Sequence, residues 1–168
     1  MRMFAVFMVV LMLFTSCSKT TDFETVSDVY DLPVSSEKWE VTLTLPEGAS
    51  EAAMESGTGG KFYLCDGFSV SVSTLNGGDV QRSIRELTGF EKSALTVMQT
   101  DIGGVRRYTF TWCSLGEGTE QVCKAVMLDD GNNHHAVSVM CDYEIAGELK
   151  QKMDAVLKSV KLVNLNID

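Results

Sequence analysis

No apolar stretch of this chain is long enough to cross a bilayer. The longest, Phe4–Phe14 ("FAVFMVVLMLF"), has about 11 residues, whereas a transmembrane helix needs about 20. The chain also has no GxSxG motif and no CxxC pair, and it contains only two histidines. These absences argue against a serine-hydrolase elbow, a dithiol redox centre and a cysteine-rich zinc site. We therefore expect no catalytic activity and no cofactor.

Basic residues are also few. The chain has 14 Lys and Arg against 23 Asp and Glu, which gives a formal net charge of −9. A surface of this sign repels phosphate backbones, so nucleic acid is excluded as a partner, and anionic lipid headgroups are disfavoured for the same reason. The length of 168 residues and the apolar content of 45% are typical of one globular domain with its own core.

The N-terminus carries the pattern of an export signal. Arg2 precedes the apolar run, and small residues then lead to Cys17 in "FTSC", which resembles the lipobox of bacterial lipoproteins. The resemblance implies a signal peptide over residues 1–16, cleavage before Cys17 and a diacylglycerol on the Cys17 sulfur. The alternative is a soluble secreted protein in which Cys17 is incidental.

Three segments follow from this interpretation. Residues 17–37 are rich in Ser, Thr and Asp and form a tether behind the lipidated cysteine, and residues 38–168 form a single globular domain. Ser18, and not Asp, follows Cys17, so nothing suggests retention at an inner membrane. We expect the protein at the periplasmic face of an outer membrane, or at the outer face of the plasma membrane where there is no outer membrane.

The spacing of apolar residues predicts an α+β domain. Alternating segments such as "WEVTLTLP" and the hairpin "KFYLC-DG-FSVSVSTL" predict strands, and "ALTVMQT", "VRRYTFTWCSL", "EQVCKAVML" and "HAVSVMCDY" predict a further meander. Asp79 as an N-cap with Val80, Ile84 and Leu87 predicts a short central helix. The apolar spacing of "GELKQKMDAVLKSVKL" predicts a long C-terminal helix. We expect an antiparallel sheet of about six to seven strands with both helices packed on it.

This sequence resembles the PsbP-like family of α/β/α sandwiches. The matching segments are the first strand ending in "LPEG", the hairpin "CDGFSVSV", the strand "GGVRRYTFTW" and the helix exit "AVLKSVKL". The resemblance implies a non-catalytic partner of a larger complex, because the family has no catalytic motif to carry over. It therefore favours a binding or assembly module with a protein partner in the envelope. The alternatives are a small-molecule or metal-binding lipoprotein and an envelope hydrolase.

Four cysteines remain in the domain. Cys113 and Cys123 are equidistant from Gly118, so a symmetric hairpin would place them opposite each other, roughly 4.5–5.5 Å apart at Cβ. This predicts a Cys113–Cys123 disulfide in an oxidising compartment and leaves Cys65 for Cys141. Four buried free thiols are the alternative.

Two further groups are candidate sites. "RRYTFTW" places Tyr108, Phe110 and Trp112 on one strand face beside Arg106 and Arg107. This stripe is either part of the core or, if the C-terminal helix leaves it open, a binding surface.

The turn "DDGNNHH" brings two acids and both histidines together. Asp129, Asp130, His134 and His135 have the chemistry of metal ligands. However, adjacent residues of a strand point to opposite faces, and Asp, Gly and Asn are what a tight turn uses. The pattern therefore favours a hairpin turn over a metal site.

Overall fold

The computed structural model describes residues 38–53, 60–116 and 118–165. The predicted signal peptide, Cys17 and the tether lie outside these ranges. Strands β1 to β9 within them are Trp39–Thr42, Ser50–Ala52, Lys61–Cys65, Phe68–Asn76, Met98–Ile102, Val105–Gly116, Thr119–Asp129, Asn133–Asp142 and Lys161–Asn164. Helices α1 and α2 are Val80–Thr88 and Ala146–Ser159, and short 3₁₀ turns occupy Lys92–Ala94 and Tyr143–Ile145. Neither α-helix of the described ranges has the length and hydropathy to span a membrane.

Seven of these strands form one antiparallel sheet. Their order is β2-β3-β4-β8-β7-β6-β5, and every neighbouring pair runs antiparallel. The predicted antiparallel sheet is confirmed. Because hairpins join β6 to β7 and β7 to β8, the long meander lies at the centre and the short strands β2 and β5 lie at the edges.

The first predicted strand does not join this sheet. β1 pairs with β9, which follows the C-terminal helix, from Trp39 opposite Asn164 to Thr42 opposite Lys161. Its apolar side chains still point one way, as the alternation predicts, and Val41, Leu43 and Leu45 pack against the core below α2.

Helices cover both faces of the central strands. On one face, α2 packs Leu149, Met153, Val156 and Leu157 against β4, β7 and β8, with Val70, Val126, Val137 and Val139 among the buried partners. On the other face, α1 packs Ile84 against a second cluster formed by Tyr108, Phe110, Trp112, Cys123, Ala125, Met127 and Ala136. This arrangement confirms the α+β class and explains why β7 and β8 are apolar on both sides.

The short helix α1 has the ends that its sequence predicts. Asp79 is extended, and its carboxylate accepts a hydrogen bond of 2.9 Å from the backbone N–H of Gln81, which satisfies one of the free donors of the first turn. Gly89 ends the helix at φ +77°, a left-handed conformation that glycine adopts without strain, and its N–H donates to the Arg85 carbonyl. These caps hold Ile84 over the aromatic strand.

The packing of α1 against the sheet gives a prediction about stability. Ile84 is fully buried in this cluster, so Ile84→Ala leaves a cavity and lowers the free energy of unfolding by about 2–5 kcal/mol. The control Gln81→Ala, at an exposed position of the same helix, changes it by no more than about 0.5 kcal/mol. Urea unfolding measures both, and equal small effects would contradict this packing.

Candidate functional site

The aromatic stripe of β6 is part of the core. Tyr108, Phe110 and Trp112 are all buried, and the rings of Phe110 and Trp112 lie 5.8 Å apart between centroids. α1 covers them, not the C-terminal helix. Of the two alternatives for the stripe, the core is confirmed and the binding surface is wrong, because a second helix closes the face that α2 leaves free.

The two arginines beside this stripe point to opposite faces. Arg106 is exposed, and its guanidinium lies 3.3 Å from the buried Asp129 carboxylate. Arg107 lies on the α2 face and donates to the carbonyl oxygens of Leu157 and Val160, at 2.6 and 3.0 Å. Burial lowers the pKa of Arg107. Arg107 thus caps the C-terminal end of α2, where unpaired carbonyls concentrate negative charge.

His134 belongs to a buried polar network below α1. Its Nδ1 lies 2.7 Å from the Ser83 hydroxyl oxygen, and its Nε2 lies 3.8 Å from Asp129 Oδ2 without a hydrogen-bond partner among the described residues. Ser83, His134 and Asp129 are each less than a tenth exposed. The trio has the residue types of a hydrolytic triad, but no substrate reaches a hydroxyl enclosed in this way. Sequence reasoning missed Ser83, which stands beside Ile84 on the inner face of α1.

His135 takes part in a separate network on the α2 face. Its Nε2 lies 2.7 Å from Asp130 Oδ2, and its Nδ1 lies 3.3 Å from the Thr74 hydroxyl oxygen. Asp130 also accepts from the backbone N–H groups of Asn132 and Asn133, at 2.7 and 2.6 Å. Burial alone would raise the pKa of Asp130, but these hydrogen bonds from His135 and the two amides outweigh it and lower the pKa.

The two histidine networks argue against a metal site at this turn. The strand alternation sends His134 and His135 to opposite faces, and Asp129 and Asp130 accept hydrogen bonds from the turn backbone. Nowhere in residues 38–53, 60–116 and 118–165 do three or more His, Cys, Asp or Glu side chains converge as metal ligands would. The geometry supports the hairpin-turn interpretation of this segment.

The predicted Cys113–Cys123 disulfide is wrong by one residue of register. Cys113 is opposite Val122, and Cys123 is opposite Trp112, because the hairpin pairs Gly116 with Thr119. A shift of one residue sends the two cysteines to opposite faces of the sheet. Cys123 is buried below α1 and Cys113 is exposed. Burial raises the pKa of the Cys123 thiol, which keeps it protonated.

The predicted Cys65–Cys141 disulfide is also wrong. Cys65 lies on β3 and Cys141 on β8, and β4 runs between them. Two strand spacings separate their Cα atoms by about 10 Å, beyond the roughly 7 Å limit for a disulfide. All four domain cysteines are free thiols.

One concave surface in the described part of the chain combines a mainly aliphatic lining with three cations. It lies on the α2 face, beside the end of that helix, and encloses about 280 Å³. Its lining residues are Ile102, Val105, Arg107, Leu128, Lys158, Val160, Lys161 and Leu162. Ile102 is 64% exposed and forms the solvent side of the groove. We call this feature the basic-rimmed groove.

Three separate segments build this groove. β5 and β6 supply Ile102, Val105 and Arg107, and the exit of α2 into β9 supplies Lys158 and Lys161. The edge strand β5 is exposed at all five residues, so nothing described covers Ile102. Of the predicted binding residues, only Arg107 lines the groove. The signal available in the sequence was the Lys158–Lys161 spacing in "LKSVKL", which has meaning only once the helix end is placed beside β6.

The cap on α2 gives a prediction with an adjacent control. Arg107→Met removes two hydrogen bonds from a charged donor to the helix-end carbonyls, and we expect the free energy of unfolding to fall by about 1.5–3 kcal/mol. Arg106→Met removes one contact of an exposed guanidinium with Asp129, and we expect a smaller loss, because Asp129 keeps the hydrogen bond from the Gly131 backbone N–H. Urea unfolding at neutral pH compares the two, and equal losses would show that Arg107 does not act as a cap.

The buried His134 network gives a pH prediction. Burial is the main cause that lowers the pKa of His134. Below about pH 6.5, the ordinary histidine pKa, the unfolded chain binds a proton that the folded chain refuses, so stability falls as the pH falls. His134→Gln should reduce the slope of unfolding free energy against pH between about 6.5 and 5. An unchanged slope in this variant would contradict a neutral, buried His134.

Known proteins resemble this chain in fold and not in sequence. No family model matches the chain, and no curated protein matches it by sequence. Two similar solved structures have TM-scores below 0.5. One is LpqN, involved in cell envelope biogenesis of Mycobacterium tuberculosis, with a TM-score of 0.44 and 9% identity over 76% of this chain and 85% of LpqN. The other is a protein from Bacteroides thetaiotaomicron VPI-5482, with a TM-score of 0.47 and 14% identity over 74% of this chain. This chain spans only 44% of the Bacteroides protein.

The solution structure of cyanobacterial PsbP (CyanoP) from Synechocystis sp. PCC 6803 has a TM-score of 0.50. The match covers 74% of this chain and 92% of CyanoP at 10% identity. At this identity the likeness concerns the fold alone. The chain has a PsbP-like α+β fold, as the sequence resemblance predicts.

Proposed function

We propose that this chain is a lipid-anchored protein of the cell envelope whose domain binds a ligand or partner without catalysing a reaction. The observation that carries the proposal is the basic-rimmed groove, an open apolar surface on an otherwise acidic chain. A concave apolar surface with a few polar groups at its edge is typical of small-molecule sites. The PsbP-like fold is compatible with an accessory role of this kind.

The anchor is proposed from the N-terminal sequence. Arg2, the apolar run Phe4–Phe14 and the small residues before Cys17 have the order of a lipoprotein signal. Lipid on the Cys17 sulfur and on the new amino terminus would hold the domain at a membrane, since stable anchoring takes more than one chain. The envelope location follows from this anchor and makes envelope components the accessible partners.

The chemistry of the groove supports binding over catalysis. Its lining consists of aliphatic side chains with Arg107, Lys158 and Lys161. It contains no carboxylate, histidine, serine or cysteine, which are the usual acids, bases and nucleophiles of catalysis. The Ser83–His134–Asp129 network is enclosed below α1, on the opposite face of the sheet.

Photocrosslinking in the cells that make the protein tests this proposal. A photoreactive amino acid replaces Ile102 in the groove or, as the control, Leu64, which is 51% exposed on β3. We expect a discrete adduct, detected by a mass shift, from position 102 and none from position 64. Cys17→Ala combined with the position-102 substitution should lose most of the adduct, because the domain leaves the membrane.

Either of two results would contradict the proposal. An absence of adduct at position 102 would remove the groove as the binding surface. An adduct that persists unchanged with Cys17→Ala would show that binding does not depend on the anchor. The experiment leaves the chemical class of the ligand open, since a protein and a lipid both give a mass shift.

A further inference from the structure

We propose that the basic-rimmed groove binds a single-chain fatty acid anion, with the acyl chain on its apolar floor and the carboxylate between Lys158 and Lys161. The inference rests on the proposed function and names the ligand class of the same site. It follows from the charge, the shape and the backbone pairing of the groove.

The groove has a positive charge, opposite in sign to the net charge of the chain. The whole chain has a formal net charge of −9, yet the eight lining residues include three cations and no acid. Elsewhere in the described ranges the cations Lys124, Lys152 and Arg106 pair with carboxylates. A carboxylate head is therefore attracted to the groove, although the chain as a whole has a negative net charge.

Of the three cations in the groove, Lys158 and Lys161 are the two available to a ligand. Neither forms an ion pair with another described residue, and both are exposed. Asp154, one helical turn before Lys158 on α2, forms an ion pair with Lys124 through its Oδ1 at 2.8 Å. Arg107 is different, because its guanidinium is held by the Leu157 and Val160 carbonyls. It forms part of the wall, and its charge is offset by the helix end.

The floor suits one acyl chain. Ile102, Val105, Leu128 and Leu162 present aliphatic surface, and the space of about 280 Å³ lies just below the roughly 300–1,000 Å³ of drug-sized sites. This room accommodates a single chain and not the two chains of a diacyl lipid. The exposed face of Ile102 gives the chain an open end toward solvent.

Backbone pairing disfavours a peptide in the same place. The floor residues Val105, Arg107 and Leu128 lie on β6 and β7, and each of these strands has a paired neighbour on both sides. This central part of the floor therefore offers no free backbone donor or acceptor, and the unpaired strand edges of β5 and β9 lie at its margin. A peptide lying on it would bury its own amide groups without partners, which is unfavourable, whereas an acyl chain has no such groups.

Photolabelling of membranes that contain the full-length protein tests this assignment. The probe is dodecanoate bearing a diazirine, and the competitors are dodecanoate and the uncharged dodecanol. We expect labelled peptides from β5, β6 and the α2–β9 junction. Dodecanoate should compete about tenfold better than dodecanol, equivalent to the loss of one favourable charge interaction.

Charge reversal provides the matched comparison. Lys158→Glu/Lys161→Glu should lower groove labelling about tenfold. Lys92→Glu/Lys150→Glu, which changes the net charge equally at two lysines outside the groove, should leave it unchanged. Lys158→Gln/Lys161→Gln, with thermal unfolding measured beside it, shows whether a lower signal comes from lost charge or from lost folding.

The outcomes separate this inference from the function on which it rests. Equal labelling of the two charge-reversed variants, or equal competition by dodecanol, would overturn the fatty acid assignment. A position-102 adduct that is a protein would also overturn it and would leave the proposed binding function intact. A position-102 adduct that dodecanoate displaces would support both.

Discussion

Burial of the β7–β8 hairpin on both faces is the constraint on which the rest of the structure depends. Most residues from Cys123 to Asp129 are buried, and the side chains alternate between the α2 cluster and the α1 cluster. A slip of one residue would exchange the two faces and place Val126 where Met127 belongs. The register also decides that Asp129 and His134 lie below α1, that Asp130 and His135 lie on the α2 face, and that Arg107 reaches the end of α2.

The sequence predicted the helices and strands better than it predicted which strands and cysteines pair. Apolar periodicity and the Asp79 cap were enough to predict both helices and the antiparallel sheet, because these signals are local. The pairing of β1 with β9 joins segments more than a hundred residues apart and leaves no local trace. The cysteine pairs failed for a related reason: alternation identifies the faces of a strand, but the length of the turn fixes the register, and one residue at Gly118 separates the two possibilities.

The candidate site was also hard to predict, because its residues come from distant segments of the chain. The sequence left the aromatic stripe either in the core or open to a partner, and α1, held by Asp79 and Gly89, places it in the core. The groove instead combines Ile102 of an edge strand, Arg107 of the next strand and two lysines at the helix exit. Each residue is unremarkable in the sequence. Their convergence is tertiary, and it places an aliphatic floor and unpaired cations together on an acidic protein that the N-terminal sequence is expected to attach to a membrane.

The central claim is that the α1 face of β6 is closed and the α2 face beside β5 is open. Ile84 and Ile102, two of only four isoleucines in the chain, report on these faces separately. The most direct measurement is the relaxation of their methyl resonances by a soluble gadolinium complex. The account predicts strong relaxation at Ile102 and protection at Ile84. Strong relaxation of Ile84, or protection of Ile102 in the absence of ligand, would contradict it.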